Sequence, residues 1–127
     1  MGFENSAGAV GHQAVAYRSQ SDNSVVFNCQ FDGYQDTLYQ QTYRQFFRDC
    51  VITAYLPVKD QLKAYLGRPW KEYSRTVIMH TVIDGMIAPE GWLEWQGDLG
   101  LKTLYYAEFR EYGSWVGSDG SGDLAWS

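Results

Sequence analysis

Scored for alternation of large apolar against small or polar positions, the chain divides into short runs of strand period separated by turn residues. In residues 13–17, Gln13, Val15 and Tyr17 alternate with Ala14 and Ala16, which predicts a strand with one large-residue face and one small-residue face. Residues 19–24, all polar, predict a loop. Residues 25–31 read as one strand ended by Asp32-Gly33, and 76–79 as another. Residues 82–87 form a further strand with a turn at Asp84-Gly85, and 104–109 a last strand or edge. Pro57 interrupts the pattern, and the stretch 58–65 is too short to predict a helix. The expected organisation is a single domain over residues 1–112. Residues 113–127 are expected to form a loose Gly- and Ser-rich tail, pinned locally by Trp115 and Trp126.

A repeat runs through these strands. Val26, Cys29 and Phe31 are matched by Phe47, Cys50 and Ile52, and again by Ile78, Thr81 and Ile83. The first two copies lie 21 residues apart, about one coil of a parallel β-helix, and the third lies 31 further on. Such coils stack and bury ladders of like residues. An antiparallel sandwich of short strands is the alternative. In a stack, Cys29 and Cys50 would project side by side. That favours a buried thiol ladder, with a disulfide permitted by the Cα spacing.

Composition narrows the function classes. Hydrophobic residues make up 45% and charged residues 20%, with no apolar run long enough to span a bilayer, so the expectation is a folded chain without a membrane partner. The formal net charge of −5 argues against nucleic acid. Any positive patch must be local, with Arg44, Arg48, Arg68, Lys71 and Arg75 available to form it. Ten Tyr and five Trp exceed what a small core needs. They suit either a sugar-binding groove or the filling of an irregular solenoid. The opening Met1-Gly2-Phe3 lacks the charged start and apolar region of a secretory signal.

Two stretches carry chemistry. Tyr34-Gln35-Asp36-Thr37-Leu38-Tyr39 sets an amide beside a carboxylate between aromatics, and Leu66-Gly67-Arg68-Pro69-Trp70 supplies a cation and an indole. These two stretches, with His12-Gln13-Ala14-Val15-Ala16, Arg44-Gln45-Phe46-Phe47, Lys71-Glu72-Tyr73-Ser74-Arg75-Thr76-Val77 and Pro89-Glu90-Gly91-Trp92, resemble successive motifs of plant pectin methylesterases. They occur in the family's order, from Phe3 to about Tyr112.

The resemblance implies an all-β, right-handed parallel β-helix and a secreted cell-wall enzyme. It also implies removal of methyl esters from galacturonate units of pectin without metal or cofactor, and a proteinaceous inhibitor as a possible partner. In that family one aspartate attacks the ester carbonyl, while a second protonates the departing methanol and then activates water. By motif, Asp36 resembles the acid–base member, Gln13 and Gln35 the amides that stabilise the negative oxygen, and Arg68 the cation that orients the nucleophile. Trp70 and Trp92 resemble sugar-stacking residues.

The sequence departs from the family at one decisive place. Members carry the nucleophile in a Gly-Thr-Val-Asp-Phe-Ile-Phe-Gly stretch one coil beyond the first aspartate. Here Arg48-Asp49-Cys50-Val51-Ile52 runs through Thr53-Ala54-Tyr55-Leu56-Pro57 toward Arg68 instead. Asp49 and Asp60, the nearest other carboxylates, match no family motif. The expectation is a shortened β-helix in which Arg68 could pair directly with Asp36. Its functions are then pectin demethylesterification or, alternatively, non-catalytic pectin binding or a structural role.

Overall fold

The computed structural model describes residues 1–10, 12–55, 65–84, 87–88, 90–112 and 124–126, with Asp84 and 124–126 described by backbone alone. Among them are the short strands β1 (Gly2–Glu4), β2 (Tyr17–Ser19), β3 (Ser24–Phe27), β4 (Gln30–Gly33), β5 (Leu38–Gln40) and β6 (Arg44–Arg48). There follow β7 (Val51–Ala54), β8 (Arg75–Met79), β9 (Val82–Asp84), β10 (Tyr105–Phe109) and β11 (Leu124–Trp126). They form three sheets, ordered β1-β4-β7-β9, β11-β10-β8-β6-β3 and β2-β5. All pairings are parallel except that of β11 with β10. The chain visits the sheets in rotation, β2-β3-β4 and then β5-β6-β7, so each passage is one coil of a parallel β-helix and the next coil stacks upon it. Parallel pairing sets the antiparallel sandwich aside. Pro57, Asp60, the Gly85 turn and Trp115 lie outside the described residues, as does the tail apart from β11.

The sequence repeat is the register of the stack. Val26 pairs with Phe47 and Phe47 with Ile78, while Phe31 pairs with Ile52 and Ile52 with Ile83. These side chains fill the solenoid, with Phe3 stacked on Phe31 at 5.3 Å and Phe31 edge-on to Phe47 at 6.2 Å. Burying each such ring contributes roughly 2–3 kcal/mol. Between these ladders runs one of small residues, Cys29, Cys50 and Thr81, linked by the Val51 N–H to the Cys29 carbonyl and the Val82 N–H to the Cys50 carbonyl, each at 2.9 Å. Both thiols are free, and burial pushes the Cys50 thiol up, which keeps it protonated.

Residues 25–31 are two strands rather than one. Asn28 turns the backbone at φ 52°, and Asp49, His80 and Arg110 repeat the corner at 51°, 50° and 53°. Their amides climb the stack: Asn28 N–H bonds the Arg48 carbonyl, Asp49 the Met79 carbonyl and His80 the Phe109 carbonyl, at 3.1, 3.1 and 2.9 Å. A left-handed residue inserts one step out of phase, so inward positions fall three residues apart and then two, as in Val26, Cys29 and Phe31.

The last coil puts carboxyl groups where earlier coils have apolar or small residues. Glu108 pairs with Ile78, and Glu111 Oε2 accepts the Thr81 N–H at 3.0 Å. They are 0% and 3% exposed. Glu108 Oε1 accepts the Trp92 indole N–H. Burial, reinforced by the charge of Glu111 and opposed by the indole bond, pushes the Glu108 carboxyl up to about 8.

A carboxyl whose pKa is raised in the fold binds its proton more tightly than the unfolded chain does. Its stabilising contribution is complete below the unfolded value and is lost as pH climbs toward about 8. Thermal melts at pH 5 and pH 8.5 should therefore show wild type losing more stability than Glu108→Gln. The difference should reach a few kcal/mol, at about 1.4 kcal/mol per pKa unit. Equal losses in the two proteins would contradict this account of the buried carboxyl.

Candidate active site

The corner between β4 and β5 is held by short contacts that only these residues permit. A Cβ on Gly33 would lie 2.9 Å from the Ala14 carbonyl oxygen and 3.1 Å from Thr37 Oγ1, so glycine is required by close approach. Thr37 Oγ1 donates to the Tyr34 carbonyl at 2.8 Å. The preceding coil clamps the same corner, because Ala14 N–H bonds the Gln35 carbonyl at 2.9 Å, and the Ala16 and Tyr17 amides share the Thr37 carbonyl at 3.0 and 3.1 Å. Asp36 is thereby fixed at φ 60°, a left-handed conformation that aspartate tolerates better than most side chains.

Gln13 and Gln35 stand on neighbouring coils at this corner, both exposed. Among the described residues neither amide, nor the Asp36 carboxyl, is tied into a side-chain hydrogen bond. Burial raises the Asp36 carboxyl above the ordinary carboxylate value, and the Arg68 charge opposes that rise without cancelling it. Arg68 and Asp36 therefore sense one another but form no ion pair, contrary to the direct pairing expected from a shortened stack. The guanidinium instead lies over the rings of Tyr65 and Trp95, at 5.8 and 5.9 Å, and Nη1 reaches the Glu94 carbonyl at 3.4 Å. Asp49 faces other partners, Arg48 at 3.4 Å and His80 at 3.7 Å, and Asp60 lies outside the described residues.

An aromatic strip links the two arginine-bearing regions. Trp70 stacks on Tyr39 at 4.8 Å and meets Trp95 at 4.4 Å, while the Arg18 guanidinium lies 5.5 Å over Tyr39. Trp92, expected beside Trp70 as a sugar-stacking ring, is 4% exposed and turned inward, with its ring on Tyr106 at 4.2 Å and its N–H on Glu108. Trp95 and Arg18 are the strip's members that sequence reasoning did not single out. The Trp92-x-x-Trp95 spacing and the β2–β5 register that sets Arg18 beside Tyr39 carry the signal.

The Pectinesterase family profile matches residues 1–56 and 52–127, which together span the chain. The chain belongs to the pectinesterase family. "Probable pectinesterase/pectinesterase inhibitor 21" of Arabidopsis thaliana is 43% identical over 89% of this chain and 25% of the relative. "Probable pectinesterase/pectinesterase inhibitor 58" of the same plant is 42% identical over 89% of this chain and 30% of its own length. The chain thus spans about a quarter to a third of these relatives. The first alignment runs over 170 positions against a chain of 127 residues. Among solved structures, pectin methylesterase from carrot matches with a TM-score of 0.53 and 32% identity over 94% of this chain and 56% of that one. A pectin methylesterase from Aspergillus niger shares the fold, with a TM-score of 0.52 over 94% of this chain and 55% of that one.

Within this pectinesterase fold the corner combines a carboxyl held toward its protonated form, two exposed amides and a cation at Coulombic range. Such groups can supply a proton, hydrogen bonds to an oxygen and a positive charge. Replacing Arg68 by Gln should raise the Asp36 pKa further, because it removes the one charge that opposes the effect of burial. Carboxyl 13C shifts followed through an acid titration read this directly, and an unmoved Asp36 would mean that the two groups are not coupled.

Proposed function

We propose that this chain recognises methyl-esterified galacturonan of the plant cell wall at the Asp36 corner and that the corner serves pectin demethylesterification, the reaction implied by its family. The observation that carries the reading is the raised Asp36 carboxyl beside Gln13 and Gln35 with Arg68 opposing from a distance. Asp36 would hold its proton for the methoxy oxygen as methanol departs. The amides of Gln13 and Gln35 would donate to the ester carbonyl oxygen as it becomes negative. Trp70, with Tyr39 and Trp95 behind it, would offer apolar surface to sugar faces, whereas Trp92 is buried against Tyr106. A proteinaceous inhibitor is the protein partner this reading suggests, and no cofactor is required by it.

A second reading, pectin binding without turnover, is favoured by two features of the matches. The profile matches in two pieces that meet at residues 52–56, where the nucleophile's stretch would begin, and the alignment to the first relative is longer than the chain. Both features support a missing internal segment that would carry the second carboxylate.

The deciding experiment measures methanol release from highly methylated pectin, alongside binding of that pectin, for wild type and Asp36→Asn. Ester cleavage by this corner predicts release that the substitution reduces by two orders of magnitude or more, in line with general acid–base contributions of about 10²–10⁴. Binding with no release from folded wild type would establish the second reading. Absence of both would overturn the assignment of the corner to pectin.

A further inference from the structure

Three rungs of one inward ladder are Val26, Phe47 and Ile78, and the fourth is Glu108. A carboxyl group at a position 0% exposed is costly unless its oxygens are engaged. Oε1 takes the Trp92 indole N–H, whereas Oε2 has no hydrogen-bond partner among the described residues. An apolar residue would fill this rung as Ile78 fills the one below it. The carboxyl is therefore explained by what it holds.

What it holds supports the segment carrying Arg68. Trp92 forms a parallel bridge with Gly67, flanked by Leu66 N–H to the Gly91 carbonyl at 2.7 Å and Leu93 N–H to the Gly67 carbonyl at 3.2 Å. The indole lies so close that a Cβ on Gly67 would fall 2.9 Å from Trp92 Cζ3. The indole also packs on Tyr106, whose hydroxyl donates to the Arg68 carbonyl at 2.9 Å. With its one proton so used, that hydroxyl accepts from Ser74 Oγ at 2.7 Å. An indole in an apolar slot could settle in more than one orientation with similar buried area. A hydrogen bond to a buried acceptor selects one of them.

From this geometry we propose that Glu108 is a positioning residue: by fixing the Trp92 indole, it sets the Leu66-Gly67-Arg68 backbone and hence the place of the Arg68 guanidinium. The functional consequence rests on the reading of Asp36 and Arg68 as parts of one site. The structural consequence does not.

The test uses Glu108→Leu, which fills the rung but removes the acceptor, Glu108→Gln, which keeps a carbonyl acceptor, and Trp92→Phe, which keeps a ring but removes the donor. The Arg68 Nε–H resonance reports the positioning itself, and the Asp36 titration reports its effect. Glu108→Leu and Trp92→Phe are expected to move the Arg68 signal and to raise the Asp36 pKa by at least half of the shift produced by Arg68→Gln. Glu108→Gln should leave both at their wild-type values. Should Glu108→Leu fail to fold by circular dichroism, Trp92→Phe carries the same expectation. An unmoved Arg68 signal in a folded Glu108→Leu or Trp92→Phe protein would overturn the proposal. If Arg68→Gln itself leaves Asp36 unmoved while the Arg68 signal responds to Glu108, the positioning stands and the reading of the two groups as one site fails.

Discussion

Parallel stacking in register constrains everything else in this molecule. Each coil must present its inward side chains directly above those of the coil before, and its corner amides must reach the carbonyls of the coil after. The left-handed corner at Asn28, Asp49, His80 and Arg110 meets both demands. It turns the chain from one sheet to the next and resets which side chains face inward. A positive φ costs most residues something, on the order of 1 kcal/mol, and the ladder amides of Asn28, Asp49 and His80 offset that cost. Asn and Asp, at the first two corners, are among the residue types that pay least for it.

The candidate site inherits its geometry from the same stacking. Asp36 occupies a left-handed corner of its own, clamped by the preceding coil through Ala14 and Ala16 and closed by Thr37 and the missing side chain of Gly33. Its carboxyl is half-buried because the coil carries it against its neighbours, and burial is what holds it toward the acid form. Arg68 arrives from a different stretch of chain. Its cation–π contacts and the Glu94 carbonyl place it near enough to moderate Asp36, while the absence of an ion pair leaves the carboxyl able to keep its proton.

Much of this was legible in the sequence because a solenoid writes its register as repetition. The three copies of large, small and large inward residues predicted the pairings of Val26, Phe47 and Ile78 and the free Cys29–Cys50 ladder. The alternation rule failed at Asn28, since a single left-handed residue leaves no break in apolar character and residues 25–31 read as one strand. The inward turn of Trp92 was hidden for a different reason. A tryptophan beside Gly91 looks the same whether it faces a sugar or a carboxyl, and only the β10 register brings Glu108 to it. Glu108 itself was read only as one position of the strand or edge at 104–109. Arg18 joins the strip through pairing across coils, which no local pattern encodes.

The stack also explains how the two halves of an ester-cleaving centre can part company. β6 pairs with β8 and β7 with β9 in unbroken register, although the chain between β7 and β8 runs from residue 55 to 74. A solenoid tolerates loss of whole coils because each coil bonds chiefly to its neighbours, whereas loss of a fraction of one would throw every inward side chain out of phase. Under the proposed reading, excision at residues 52–56 would take the nucleophile's coil entire and bring the next one down onto β6 and β7. The acid, the amides and the arginine would survive with their local supports intact, since the clamp on Asp36 lies before the junction and the Glu108–Trp92–Tyr106 support of Arg68 lies after it. What such a change alters is the distance between the supports, and with it the space in which an ester and a second carboxylate would have to meet.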